Sequence, residues 1–328
     1  MKPLLTILTD INVHKRNIKS WGFKFLSHPN ETRSSSSKSN PSWAVFPIII
    51  FLGWSCNAQI TQGTKIVAVI SDTDIAVAAD SLAMDGSGKI KSRTLCKIQH
   101  AANFHIAAAH LVQYREAGFD AYATMSLALA AASGTFDEEV TAVEDALREQ
   151  LLGALRFMYV MHRATYDKFA GEALSLNTER GILAFMIFGT VNNELVFSMR
   201  ELAFTNGLIG PVSVQVRENK RVDCPGPRCP NPPIAMMGNF DNVAAFLPQL
   251  NQKWIFSELK SYELARFLVT YAVVTTESVG SPIDVIRISK DGANWIERKP
   301  GCQEKRKEKN PSAQKPKARK QRRRHKPS

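Results

Sequence analysis

The chain has 328 residues, of which 44% are apolar and 22% charged, ordinary values for a globular core and enough length for one large domain or two. Its formal charge of +12 belongs to one end: Gln303 to Ser328 carries twelve Lys or Arg against two Glu, so the rest holds only +2 and no basic nucleic-acid surface spans the body. Five cysteines (Cys56, Cys96, Cys224, Cys229, Cys302) show no ligand spacing beyond a single Cys-x4-Cys pair, which argues against zinc; no cofactor is expected.

Met1 to Ser42 are polar, with a serine run at Ser34 to Ser37, and read as disordered or as an over-extended start to the reading frame. Trp43 to Ala58 comes next; its apolar stretch from Ala44 to Trp54 is too short to span a membrane comfortably and has the length of a signal-peptide core. Small residues at Cys56 and Ala58 fit cleavage after Ala58, with lipidation at Cys56, a hydrophobic propeptide or a short anchor as alternatives. A signal peptide would make the protein periplasmic or secreted, with no transmembrane helix after processing; otherwise it is cytoplasmic. Export would leave Gln59 to Gly63 as a five-residue propeptide ahead of Thr64.

Gly63 to Lys97 is the most informative stretch of the chain. Ile66 to Ile70 and Ile75 to Ala79 are two apolar runs around the polar turn Ser71 to Asp74, the pattern of two paired strands. Both runs are apolar at nearly every position, so both faces of their sheet are expected to be covered. Against that background Thr64, Asp80 and Lys97 stand out. A buried carboxylate and ammonium are costly unless paired, and the two are expected to meet. Cys96 is expected to face away from the pair as a core residue.

The segment resembles the start of a proteasome β subunit and its bacterial relatives, the threonine-type N-terminal nucleophile (Ntn) hydrolases. The resemblance is carried by the Gly63-Thr64 junction, Val77 to Ser81 (VAADS) and Ser92 to Lys97 (SRTLCK), with the step to Lys97 one residue longer, taken up in the Asp85 to Lys91 turn. It implies an α+β fold built as a four-layer αββα sandwich over residues 64–297, with a basic disordered tail from 298 to 328. It also implies roles. Thr64 would be freed by attack of its own hydroxyl on the Gly63 carbonyl, then act as nucleophile with its α-amine as base; Lys97 would lower the pKa of that pair and Asp80 would hold Lys97. An Asp80–Lys97 pair that is purely structural is the plain alternative.

Further elements are expected in order: a strand from Phe104 to Ala109, a helix from Leu111 to Ala132, and a second helix from about Asp137 to Ala170, capped by Thr135 and apolar at helical spacing. By the resemblance, the backbone at His110 and Leu111 would meet a developing oxyanion, in a turn without the family's glycine. Ile182 to Thr190 and Glu194 to Met199 read as strands joined at Asn192 and Asn193, Val212 to Val216 as a third, and Asn219 to Pro233 as an inserted loop in which Cys224 and Cys229 close a disulfide in an oxidising compartment. Ile234 to Gly238, a helix from Ser257 to Thr276 and a last strand from Pro282 to Ile288 complete the series. By the resemblance, Asn239 takes the place of a supporting serine, while the family's supporting Asp and Ser positions fall by count on Thr276 and Val279, with Glu277 or Ser278 as substitutes after a small register change.

These residues predict a self-processing threonine hydrolase acting on peptide or protein amide bonds, with self-association into an oligomer or ring implied by the resemblance. A noncatalytic ring or scaffold subunit that keeps the fold is the alternative. The tail would contact anionic surfaces or nucleic acid without sequence preference.

Overall fold

The computed structural model describes residues 60–63, 65–84, 90–92, 95–167, 181–205, 215–238, 240–249, 258–276 and 280–302. The chain divides into Met1–Trp54 and Ser55–Ser328, and every described residue belongs to the second unit. The expectations for residues 1–58, for the tail beyond 302, and for Thr64, Asn239, Glu277 and Ser278 lie outside the described residues.

The fold is mixed α+β with two antiparallel sheets. The smaller grows from the hairpin of β2 (Ile66–Ile70) and β3 (Asp74–Ala79), whose residues are all buried. Around them stand β12 (Ile234–Met237), β13 (Asp284–Ser289) and β14 (Gly292–Glu297), in the order β12-β2-β3-β13-β14. The larger sheet runs β11-β10-β9-β7-β1-β4-β5. Its members are β1 (Ile60–Gly63), β4 (Ala83–Met84), β5 (Ile90–Ser92), β7 (Phe104–Tyr114), β9 (Leu183–Val191), β10 (Glu194–Thr205) and β11 (Gln215–Cys224), with β6 (Ile98–Ala101) and β8 (Phe119–Asp120) also pairing β7.

Alternation along the strands explains why the apolar runs are unbroken. Ile66, Ala68, Ile75 and Val77 pack with Ala107, Met186, Phe188 and Phe197 of the larger sheet. Their neighbours Val67, Val69, Ala76 and Ala78 pack instead with Leu264, Leu268 and Ala272 of a helix, α4 (Ser261–Thr275), preceded by the short α3 (Asp241–Phe246). On the larger sheet Ile106, Ala108, Leu183, Phe185 and Ile187 meet Met125 and Leu129 of α1 (Ala121–Ala131) and Val140, Val143, Leu147 and Leu151 of α2 (Phe136–Met161). Successive residues face opposite sides, so both sides must be apolar. Among the described residues no helix is long and apolar enough to cross a membrane.

Several elements differ from the sequence expectations. The helix expected from Leu111 begins only at Ala121: Val112 and Tyr114 continue β7, Gly118 turns the chain at φ 69°, and the Asp120 carboxylate accepts from the Ala123 N–H as the cap. In α2 the Thr135 capping box forms, and the helix stops at Met161. Asn192 and Asn193 both take positive φ in the two-residue turn between β9 and β10. Asn219 to Cys224, expected as loop, is strand, pairing with β10 from Phe197↔Cys224 onward. The body also continues past residue 297. Lys299 and Cys302 are buried, the latter in a disulfide with Cys96, so Cys96 is one end of a long-range crosslink and not a free core residue.

Candidate functional site

Asp80 comes directly after the last residue of β3, where the hairpin's buried strands run out. Its carboxylate is fully buried and so is the Lys97 ammonium, which donates to Asp80 Oδ1 at 2.5 Å. The same oxygen accepts from the Lys65 backbone N–H at 3.0 Å, and Oδ2 accepts from the backbone N–H of Leu82 at 3.1 Å and of Gly280 at 3.3 Å. Backbone donors of this kind satisfy the buried oxygens and fix the direction of the carboxylate. Burial pushes the Lys97 amine down from the ordinary lysine value to about 8, against the opposing attraction of Asp80, with Lys299 pushing it down further.

Lys97 sits just before β6, on a segment held from two sides. The Tyr122 hydroxyl of α1 donates to the Lys97 carbonyl at 2.9 Å while accepting from the Ala108 N–H at 3.2 Å, and the Leu95 N–H donates to the Ser81 carbonyl. Beneath the pair lies a second ion pair that the sequence did not suggest. Lys299 Nζ is 2.9 Å from Asp284 Oδ2, both side chains fully buried, and it donates to the carbonyls of Asp80 at 3.1 Å and Leu95 at 2.8 Å. Asp284 arrives by strand pairing, opposite Ala79 in the β13–β3 register, and accepts from the Lys299 backbone N–H at 2.7 Å. Burial holds the Lys299 amine below its ordinary value. A missed glycine contributes as well. A Cβ on Gly280 would lie 3.2 Å from Leu82 Cβ, so this backbone can approach Asp80 only as glycine or with a shift of Leu82.

Thr64 is outside the described residues, but both its neighbours are placed. Gly63 ends β1, where it pairs with Ala83 of β4 and His110 of β7. Lys65 donates its N–H to Asp80, and its side chain turns away, with Nζ on Thr276 Oγ1 at 2.9 Å and 5.4 Å from the centre of the Phe240 ring. The four residues before Thr64 therefore form a strand with a partner on each side.

The oxyanion expectation needs correction at Leu111. Its N–H donates to the Ile182 carbonyl at 3.0 Å, so it is already committed to the sheet. His110 sits in the turn-like conformation φ 67°, in register with Gly63 and with Leu183. Cys224 and Cys229 are joined in a disulfide. That bond borders a cavity of about 660 Å³ at the Ser71–Asp74 end of the hairpin, lined also by Leu195 and Leu259. The cavity contains neither Asp80 nor Lys97 and lies at the opposite end of β3, so the buried charges and not this hollow define the site. Among the described residues no three His, Cys, Asp or Glu side chains gather as a metal site.

No family model and no curated protein matches the chain. Solved structures that are similar include Anbu (ancestral beta-subunit) from Yersinia bercovieri, 14% identical, covering 72% of this chain and 87% of that one with a TM-score of 0.42. A second is the Anbu (Gly-1) mutant from Hyphomicrobium sp. strain MC1, 16% identical, covering 72% and 86% with a TM-score of 0.43. These values assign no family. They overturn the identification of the chain with the threonine-type Ntn hydrolases made from the Gly63 to Lys97 motifs: three short motifs set the residues of one site, and neither the family models nor the curated proteins extend that likeness to the whole chain.

Proposed function

We propose that the Asp80–Lys97 pair serves amide-bond hydrolysis with Thr64 as the nucleophile. One observation carries this reading: a single oxygen, Asp80 Oδ1, takes both the Lys97 ammonium and the N–H of Lys65, the residue bonded to Thr64. A buried cation is thereby tied to the chain position where a hydroxyl and, after cleavage, an α-amine would need their pKa values lowered. The packing of the two sheets with α1 and α2 on one and α4 on the other supports an αββα layering, with the pair near the end of the inner strands.

The steps balance on these groups. Thr64 Oγ attacks the Gly63 carbonyl carbon, the Gly63–Thr64 C–N bond breaks as its nitrogen takes the hydroxyl proton, and water then hydrolyses the ester to a Gly63 carboxylate and a free Thr64 amine. That amine, whose ordinary pKa is about 7.7 to 8.0, takes the Oγ proton during attack on a substrate amide and returns it to the leaving nitrogen; water, giving its proton to the same amine, then cleaves the acyl ester to a carboxylate and restores the Thr64 hydroxyl. A charged Lys97 nearby favours the deprotonated hydroxyl and amine. Release of the four residues of β1 would leave the facing edges of β4 and β7 unpaired, and an extended peptide fits such a slot by backbone pairing.

A peptidyl β-lactone tests the nucleophile directly, since ring opening by a threonine hydroxyl adds the whole probe mass. The expected result is one adduct on the processed protein, none on Thr64→Ala, and slow labelling of Lys97→Met. Equal labelling of wild type and Thr64→Ala, or none of either, contradicts the reading; absence of labelling favours a noncatalytic subunit that retains the fold.

A further inference from the structure

The second ion pair gives the site a part that lies more than 200 residues from Asp80 in the chain. Lys299 is fully buried, and its ammonium makes three contacts of different kinds: the Asp284 carboxylate, the Asp80 carbonyl and the Leu95 carbonyl. Those two carbonyls flank the catalytic pair, one belonging to the carboxylate residue itself and the other two positions before Lys97. The segment bearing Lys299 is fastened on both sides. Asp284 takes its backbone N–H, and three residues later Cys302 is bonded to Cys96, the residue next to Lys97. The Cys302 N–H returns to the Lys299 carbonyl, closing the turn.

We propose that Lys299, clamped by the Cys96–Cys302 disulfide, is a positioning residue of the Asp80–Lys97 centre, holding the Asp80 and Leu95 backbones so that the Lys97 ammonium stays on Asp80 Oδ1. The inference rests on the hydrolase reading of that centre. The groups around Lys97 are Asp80 at the end of β3, with the Lys65 N–H on the same carboxylate oxygen, Lys299 with its partner Asp284 of β13, and the Tyr122 hydroxyl of α1 on the Lys97 carbonyl. Asp80 is the near anion that attracts Lys97, and Lys299 is a second cation that opposes its charge. Geometry and charge thus act together. Lys299 fixes the frame, and its charge also lowers the pH above which Lys97 ceases to be the ammonium the mechanism uses.

Lysine labelled with 13C at Cε reports each ammonium by NMR, with the Lys97 signal assigned by its loss in Lys97→Met. In the intact protein Lys97 is expected to titrate near 8. In Lys299→Met the midpoint should rise toward the ordinary lysine value, and β-lactone labelling at pH 7 should fall roughly tenfold or more through misplacement. The alkaline limb of the labelling profile should move up with the midpoint, which a merely structural lysine would not cause, and Lys299→Arg should restore both. The double variant Cys96→Ala with Cys302→Ala, which frees the strap while keeping Lys299, should move the midpoint in the same direction if Lys299→Met proves unfolded by circular dichroism. An unmoved Lys97 midpoint in these variants, or wild-type labelling at every pH, overturns the inference. Failure of the wild type to label at all strikes the hydrolase reading instead, and the titration then decides the role of Lys299 alone.

Discussion

Two clusters of buried charge can be compared in this molecule. At the outer strands of the larger sheet, Arg200 is 1% exposed and meets Asp223 at 2.6 Å, with Glu144 and Glu218 at 3.4 and 3.6 Å. Two of its carboxylates reach solvent, Asp223 at 20% and Glu218 at 34% exposed, while Glu144 is buried, and Arg221 and Arg148 complete the rim. Arginine keeps its charge under any neighbour, so the cation of this cluster is fixed and behaves as a fastener among α2, β10 and β11. The Asp80 cluster is built from lysines, all four of its side chains are fully buried, and its ammonium groups are pushed down. Burial is common to the two clusters; cation type and access to water are what differ.

The comparison breaks most readily at its two centres. Asp80→Ala strands the Lys97 ammonium and frees backbone donors without water to take them, so a loss of about 3 to 5 kcal/mol is expected in urea unfolding, with loss of β-lactone labelling. Arg200→Met leaves carboxylates that water can still reach, and a smaller loss of about 1 to 3 kcal/mol is expected, with labelling unchanged. Equal losses would erase the distinction. The two disulfides sharpen it further. Cys96 and Cys302 are 206 residues apart and Cys224 and Cys229 only 5, so removing the first pair should lower stability by up to about 5 kcal/mol and the second by about 2. Only the first should alter labelling.

The pH dependence has a definite sign. Lys97 in the folded state sits near 8, below its unfolded value of 10.5, so between those values the unfolded chain holds more protons and stability rises with pH. The expected contribution approaches about 1.4 kcal/mol per pH unit within that window and is absent below it. Chemical unfolding of wild type and Lys97→Met at pH 7, 8, 9 and 10 should show a steeper rise in the wild type; parallel curves would mean that Lys97 is not held in this way. Tyr122→Phe should have the smallest effect, about 1 kcal/mol with slower labelling, since one hydroxyl joins the Lys97 carbonyl to the Ala108 N–H.

Much of the near half of the site could be read before the fold was known. Asp80 and Lys97 stand at the ends of apolar runs where an unpaired charge is costly, and the hairpin that leads into Asp80 is written in unbroken apolar residues around Ser71 to Asp74. The far half was hidden by topology. Asp284 reaches Asp80 through β13 pairing with β3, and Lys299 stands two residues beyond that sheet's last strand, where it resembles the first of the tail's many cations. Edge strands were the other blind spot. Arg217, Glu218, Asn219, Lys220 and Arg221 look like loop because an edge strand carries charge, and the continuous apolar run that marked β9 is absent from β11 and β14. In β7 the run Leu111 to Tyr114 lies between Ala-rich segments, and only the Gly118 turn and the Asp120 cap mark where strand gives way to helix.

The central claim is that Thr64 is the working nucleophile, and the N-terminal sequence and intact mass of the purified protein, beside Thr64→Ala, test it most directly. The account predicts a wild type that begins at Thr64 and a variant that retains Ile60 to Gly63 as its β1 strand. Wild type and variant beginning at the same upstream residue would contradict it, because the amine assigned as base would never have been formed.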